Sequence, residues 1–131
     1  MKSFETVYKE LEDLFIQKLP EYIEKVNKEH NDGIILKPFM NKELDEDCIK
    51  LPSFKFTLDE AEYTEKDRII ENTVFEISLE INLPQNKENK IILLFRYYEA
   101  FEMAMKKKSC DCTKFSILRT TNDKLFFRLV L

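Results

Sequence analysis

Between Thr73 and Leu83 the chain alternates without a break. Phe75, Ile77, Leu79, Ile81 and Leu83 fall on one side of an extended strand, and Glu76, Ser78, Glu80 and Asn82 on the other. A slip of one residue would carry the whole apolar set into water, so this register is strongly specified. One dry face and one wet face is the mark of antiparallel sheet, and the dry face has to be covered by something.

Two helical patterns supply the cover. Phe4, Val7, Tyr8, Leu11, Leu14, Phe15 and Leu19 recur at three- and four-residue steps and share one helix face. Ser3 fits the N-cap, and Glu5 lies where the helix dipole favours a negative charge. Pro20, which has no amide proton, is expected to kink or interrupt this helix. Tyr22, Ile23 and Val26 continue the stripe to about His30, and Asn31-Asp32-Gly33 stops it, with Gly33 suited to a left-handed position. A second helix is expected from about Lys87 to Lys107, with Ile91, Leu94, Phe95, Tyr98, Phe101 and Met105 on one side.

Shorter signals fill the remainder. Residues 34 to 36 read as a brief edge strand or extended segment. Residues 40 to 52 read as a charged loop, and Phe54, Phe56 and Leu58 as a half-buried strand. The polar run from Asp59 to Asp67 reads as a solvated loop, and Pro84 with the polar residues after it as a turn. Strands are expected over Lys114 to Arg119 and Leu125 to Leu131, joined by a turn at residues 120 to 123. The expected architecture is one α+β domain over residues 1 to 131: an antiparallel sheet of about four to five strands with two main helices packed on one face. The 131 residues, 44% hydrophobic with 11 Phe, are enough to build such a core.

Composition narrows the chemistry. A chain with one Gly cannot write a dinucleotide fingerprint or a P-loop. The net charge of −4 argues against broad nucleic-acid binding, although Arg119 and Arg128 beside strand aromatics could in principle stack on bases. No apolar run approaches the ~18 residues of a membrane span. Three cysteines, Cys48, Cys110 and Cys112, do not suggest a disulfide framework. With the acidic N-terminal stretch they point to a reducing cytoplasm.

Cys110-Asp111-Cys112 is spaced by one residue rather than the two to four of common zinc pairs, and only Cys48 and His30 could complete a site. His30 reads as a helix-end residue capping carbonyls. The carboxylates of residues 45 to 47 and of Asp59, Glu60 and Glu62 read as solvated. No cofactor and no metal is expected. Tyr97 and Phe95 make the second helix aromatic around its girth, and both faces of the last strand are apolar apart from Arg128. Either these side chains are all internal core, covered on two sides, or part of them meets a partner chain; on the second reading the contacts are expected at Arg96, Tyr97, Phe101, Phe126 and Arg128.

Residues 66 to 83, KDRIIENTVFEISLEINL, followed by LLFRYYEAFEMAM over residues 93 to 105, resemble small tail-completion or tail-terminator proteins of phages and prophages. The match on the second helix is Arg96, Tyr97 and Ala100, and residues 19 to 36 resemble the opening of such proteins. The resemblance implies a non-enzymatic subunit of the cytoplasm or virion tail. It would assemble into a homo-oligomer, commonly a hexameric ring, and meet other tail proteins. The residues also allow two other readings. One is a monomeric acidic module, of inhibitor or immunity type, that captures a basic partner through residues 44 to 47 and 60 to 65. The other is a small metal-dependent hydrolase or thiol enzyme.

Overall fold

The computed structural model describes residues 3–39, 41–42, 52–83, 89–108, 114–121 and 124–131, with residues 41, 42, 70, 71, 107 and 108 through their backbone alone. Helices α1 (Phe4–Asp13) and α2 (Leu19–His30) are joined by a π turn at Leu14–Lys18 into a single helical rod. Ser3 caps it, its hydroxyl accepting from the Thr6 amide at 3.3 Å. Pro20 does not interrupt the rod. It sits in the first turn of α2, and the Leu19 amide just before it reaches five residues back to the Leu14 carbonyl. A proline gives no hydrogen bond and crowds the carbonyl four residues earlier, so the widened turn absorbs both defects.

The sheet contains β1 (Asn41–Lys42), β2 (Ser53–Lys66), β3 (Ile69–Asn82), β4 (Lys114–Thr120) and β5 (Lys124–Val130), in the order β1-β2-β3-β5-β4. Four strands are antiparallel, and β1 adds a short parallel pairing to Ser53 and Phe54. Helix α3 (Lys90–Lys108) connects β3 to β4, and β5 then inserts between those two strands. The expected α+β class is what the chain adopts.

All the helices lie on the apolar face. Phe15 is fully buried at the centre of that layer, with ring centroids 4.7 Å from Phe54, 5.0 Å from Phe56 and 5.3 Å from Phe101. Phe101 continues the cluster to Phe127 at 5.1 Å and Phe115 at 5.7 Å. The alternating residues of β3 behave as their period requires: Phe75, Ile77, Leu79 and Ile81 are buried beneath the helices.

Two segments differ from expectation. Residues 34–39 form no strand. The Asn27 side chain bonds both the N–H and the C=O of Leu36, at 2.9 and 3.1 Å, so a side-chain amide stands where a neighbouring strand would pair. Asn31, not Gly33, takes the left-handed cap of α2, although Gly33 also has positive φ.

The larger difference is the polar run after Leu58. It is strand, not loop: β2 continues to Lys66 and pairs with β3 to the end. Asp67 and Arg68 form the turn, with φ of 52° and 68°. Two-residue hairpin turns of this primed type want Asn-Gly or Asp-Gly, because an L side chain at positive φ is strained by about 1 kcal/mol or more. Arg68→Gly should relieve that strain. Hydrogen exchange of the amides near the turn should slow by roughly fivefold, which corresponds to about 1 kcal/mol, with little change in global unfolding. Unchanged exchange would mean that the turn is not strained at Arg68.

The charged loop of residues 40 to 52, the turn at Pro84, the helix start at residues 87 and 88, the Cys110 to Cys112 element and the centre of the final turn lie largely or wholly outside the described residues.

Candidate functional site

Three of the five residues expected to meet a partner are turned inward. Phe101 is 0% exposed and Tyr97 2%, so in this fold neither can touch another chain. Arg96, 8% exposed, braces α3 against the turn after α2. It donates to both carboxylate oxygens of Asp32, one of them at 2.9 Å, and to the Ile34 carbonyl at 3.3 Å. These bonds hold the Asp32 carboxyl well below the usual carboxylate range.

Tyr97 pins the same segment. Its hydroxyl donates to the Lys37 carbonyl at 2.7 Å and accepts from the Lys37 amide at 3.1 Å. Alternating helix positions could not reveal this, because a Tyr at a core position looks the same whether or not its hydroxyl finds backbone. Burial pushes the Tyr97 phenol up to about 12. The neutral phenol is the form the fold favours. Its contribution is therefore complete below the unfolded value near 10 and is lost as pH rises from there toward about 12. Tyr97→Phe should cost about 1–2 kcal/mol at pH 7, for two backbone groups left without their partner. In urea melts the gap between variant and parent should narrow above pH 10, and a constant gap would contradict this account.

His30 does not merely cap α2. Its Nε2 lies 3.0 Å from a Glu99 carboxylate oxygen on α3, which ties the two helices together. Cys48, Cys110 and Cys112 lie outside the described residues, so the zinc constellation has no geometry here. Among the described residues, no cluster of His, Cys, Asp and Glu is placed to hold a metal ion.

One cavity of about 460 Å³ opens beside the π turn, lined by Glu10, Asp13, Leu14, Gln17, Lys18, Glu21, Tyr22 and Ala104. Its ionisable groups stand on successive turns of one rod, and among the described residues only Ala104 faces them from another element. No described helix is long and apolar enough to cross a membrane.

Phe126 and Arg128 stay at the surface, on the face of the sheet away from the helices. The register sets out this outer face in rows. Glu62, Val74, Val130 and Lys114 form one, Glu60, Glu76, Arg128 and Ser116 the next, and Thr57, Ser78, Phe126 and Arg119 a third. Lys55, Glu80 and Lys124 form a fourth. Glu60 stands directly opposite Glu76, a repulsive pairing in isolation. Arg128 offsets it, with Nη2 2.6 Å from Glu76 Oε1, and that bond with the charges of Glu62 and Glu60 raises the Arg128 pKa. The Arg119 guanidinium lies over the Phe126 ring, 4.1 Å from its centroid, so the arginine-on-aromatic stack is made within the chain. At the β2 bulge Asp59 accepts a bond from the Ser78 hydroxyl at 3.2 Å.

Beyond this face the β2–β3 hairpin leaves the sheet. Pairing with β5 begins at Val74, and Thr73 spends its own N–H and C=O on Leu131 at 3.2 and 2.9 Å. The four residues of β3 between the turn and Thr73 span roughly 13 Å. On this ribbon Tyr63 is 56% and Ile69 71% exposed. A second apolar group, Ile91, Ile92 and Phe95, stands exposed at the start of α3.

Sequence reasoning missed the ribbon because its residues carry no apolar alternation. It missed the row structure because cross-strand register is a long-range property. Compared with protein-family models, curated proteins and solved structures, the chain gives no match in any of the three.

Proposed function

We propose that the chain is a non-enzymatic assembly subunit that works by docking on copies of itself and on neighbouring proteins, the role its resemblance to phage tail-completion proteins implies. The observation that carries this reading is the projecting ribbon. Ordering a residue's backbone costs on the order of 1–2 kcal/mol. Among the described residues no third strand pairs with the outer ribbon, and a two-stranded hairpin by itself is only marginally stable. Residues 64 to 72 therefore add little to the stability of their own fold, yet they present Ile69 to solvent at the end of the ribbon. An arm of this kind gains its stability when another surface covers it. The exposed apolar turn of α3 is a second surface of the same character.

The acidic-module reading draws on the same strands. Glu60, Glu62 and Glu65 stand exposed along β2, where a basic partner would be steered to them. Its other acidic element, residues 44 to 47, lies outside the described residues. Solution mass separates the two readings: self-association favours the subunit, and a monomer that binds only basic proteins favours the module. Replacing the outer ribbon by a two-residue turn tests the arm itself.

A further inference from the structure

The outer face of the sheet divides by charge. Over these four rows the half formed by β2 and β3 turns out Asp59, Glu60, Glu62, Glu76 and Glu80 against the one cation Lys55. The half formed by β5 and β4 turns out Lys114, Arg119, Lys124 and Arg128, and neither strand contains a carboxylate. The boundary runs between β3 and β5, parallel to the strands. Its middle carries the half-buried Val74, Val130 and Phe126.

We propose that this face docks on the same face of a second copy, around a two-fold axis parallel to the strands and between β3 and β5. The inference rests on the docking reading above and names a partner for it. The symmetry is what carries it. A rotation about that axis keeps each row at its own level and exchanges the two halves. Glu76 of each copy then meets Arg128 of the other, Glu62 meets Lys114, Glu80 meets Lys124, and Asp59 falls beside Arg119. Val74 meets Val130 in the same operation. An axis across the strands would instead exchange the rows and lay each half on its own kind, acid on acid and base on base.

The strands of two packed sheets cross at about 30°, so the match is strictest near the axis, at Glu76 with Arg128 and Val74 with Val130. An isologous contact closes at two copies.

Size sets the strength. Four strands about 4.8 Å apart and four rows about 7 Å apart cover roughly 500 Å² per copy. Stable complexes bury about 800 Å² per partner, so this dimer is weak, steered by charge and dissolved by salt.

The test uses two double variants of the full chain at exposed or half-exposed positions, Lys114→Glu with Lys124→Glu and Glu62→Lys with Glu80→Lys, with folding checked by circular dichroism. Sedimentation equilibrium at 20 to 500 μM in low salt should show the parent approaching twice its monomer mass and returning to monomer in 0.5 M NaCl. Each double variant alone should stay monomeric, and a mixture of the two should form a one-to-one complex. A parent that associates equally with either pair reversed overturns the face while leaving the docking reading intact. A parent that is monomeric throughout and yields no mixed complex overturns both. A monomeric parent that binds polylysine assigns the acidic half to a basic partner and overturns the second copy as occupant.

Discussion

Phe101→Ala should lower the stability of the chain by about 4 kcal/mol and leave any association per folded molecule unchanged. The ring is 0% exposed and touches aromatic rings from three directions: Phe15 on the π turn, Phe127 on β5 and Phe115 on β4. Removing it takes away the transfer energy of a whole phenyl group and leaves a void. The walls of that void belong to a sheet and a helical rod that cannot both collapse inward, which places the cost in the ~3–5 kcal/mol range for such truncations. Against a total of ~5–15 kcal/mol this is a large fraction, enough to lower the melting temperature by roughly 10–20 °C in a domain of this size. Phe101→Leu, which keeps most of the volume, should cost far less. Urea melts of the three proteins check both. A Phe101→Ala protein as stable as its parent but altered in solution mass would return Phe101 to the interface, where its sequence pattern first placed it.

The second large effect concerns the ribbon. Replacing residues 65–71 by Asn-Gly should abolish any assembly that depends on the arm and leave the melting temperature within a few degrees of the parent. The cut is chosen from the pairing. Thr73 directs its backbone to Leu131, so the next rung, Thr64 with Asn72, is the one that faces inward and can close on a two-residue turn. The deletion removes Ile69 and the strained Asp67–Arg68 turn, and the described side chains it takes away, those of residues 65 to 69, are all exposed. Stability should hold because none of these side chains belongs to the core. A shortened chain that unfolds, or melts many degrees lower, would show that the ribbon supports its own fold and is not an arm.

What the sequence made legible was whatever depends on near neighbours. The period of β3, the stripe of the first helix and the cap at Ser3 are set within a few residues, and each appears where its pattern lies, whereas the stripe expected on α3 holds at Leu94, Tyr98, Phe101 and Met105 and fails at Ile91 and Phe95, which are exposed. Pro20 was legible as a disturbance but not as its remedy, since a π turn is set by how the whole rod must lie on the sheet. The ribbon was hidden because strands usually announce themselves by alternation, and alternation records burial on one side. Residues 64 to 69 and Asn72 are exposed on both sides of the ribbon, so their pairing leaves no trace in hydrophobicity. Arg96 and Tyr97 show the converse. Their aromatic and cationic character was visible, but whether such a side chain turns inward to Asp32 and Lys37 or outward to a partner depends on segments some 60 residues away. Of the candidate surface, only Phe126 and Arg128 could be named in advance, as the residues that break or duplicate the apolar face of the last strand.

The central claim, that the chain works by associating with other chains, is tested most directly by its mass in solution. Light scattering after size exclusion, from micromolar to near-millimolar concentration and at low and high salt, should show a mass that rises with concentration above the 15.8 kDa of one chain and falls back when salt is added. A mass fixed at one chain under every condition would contradict the account.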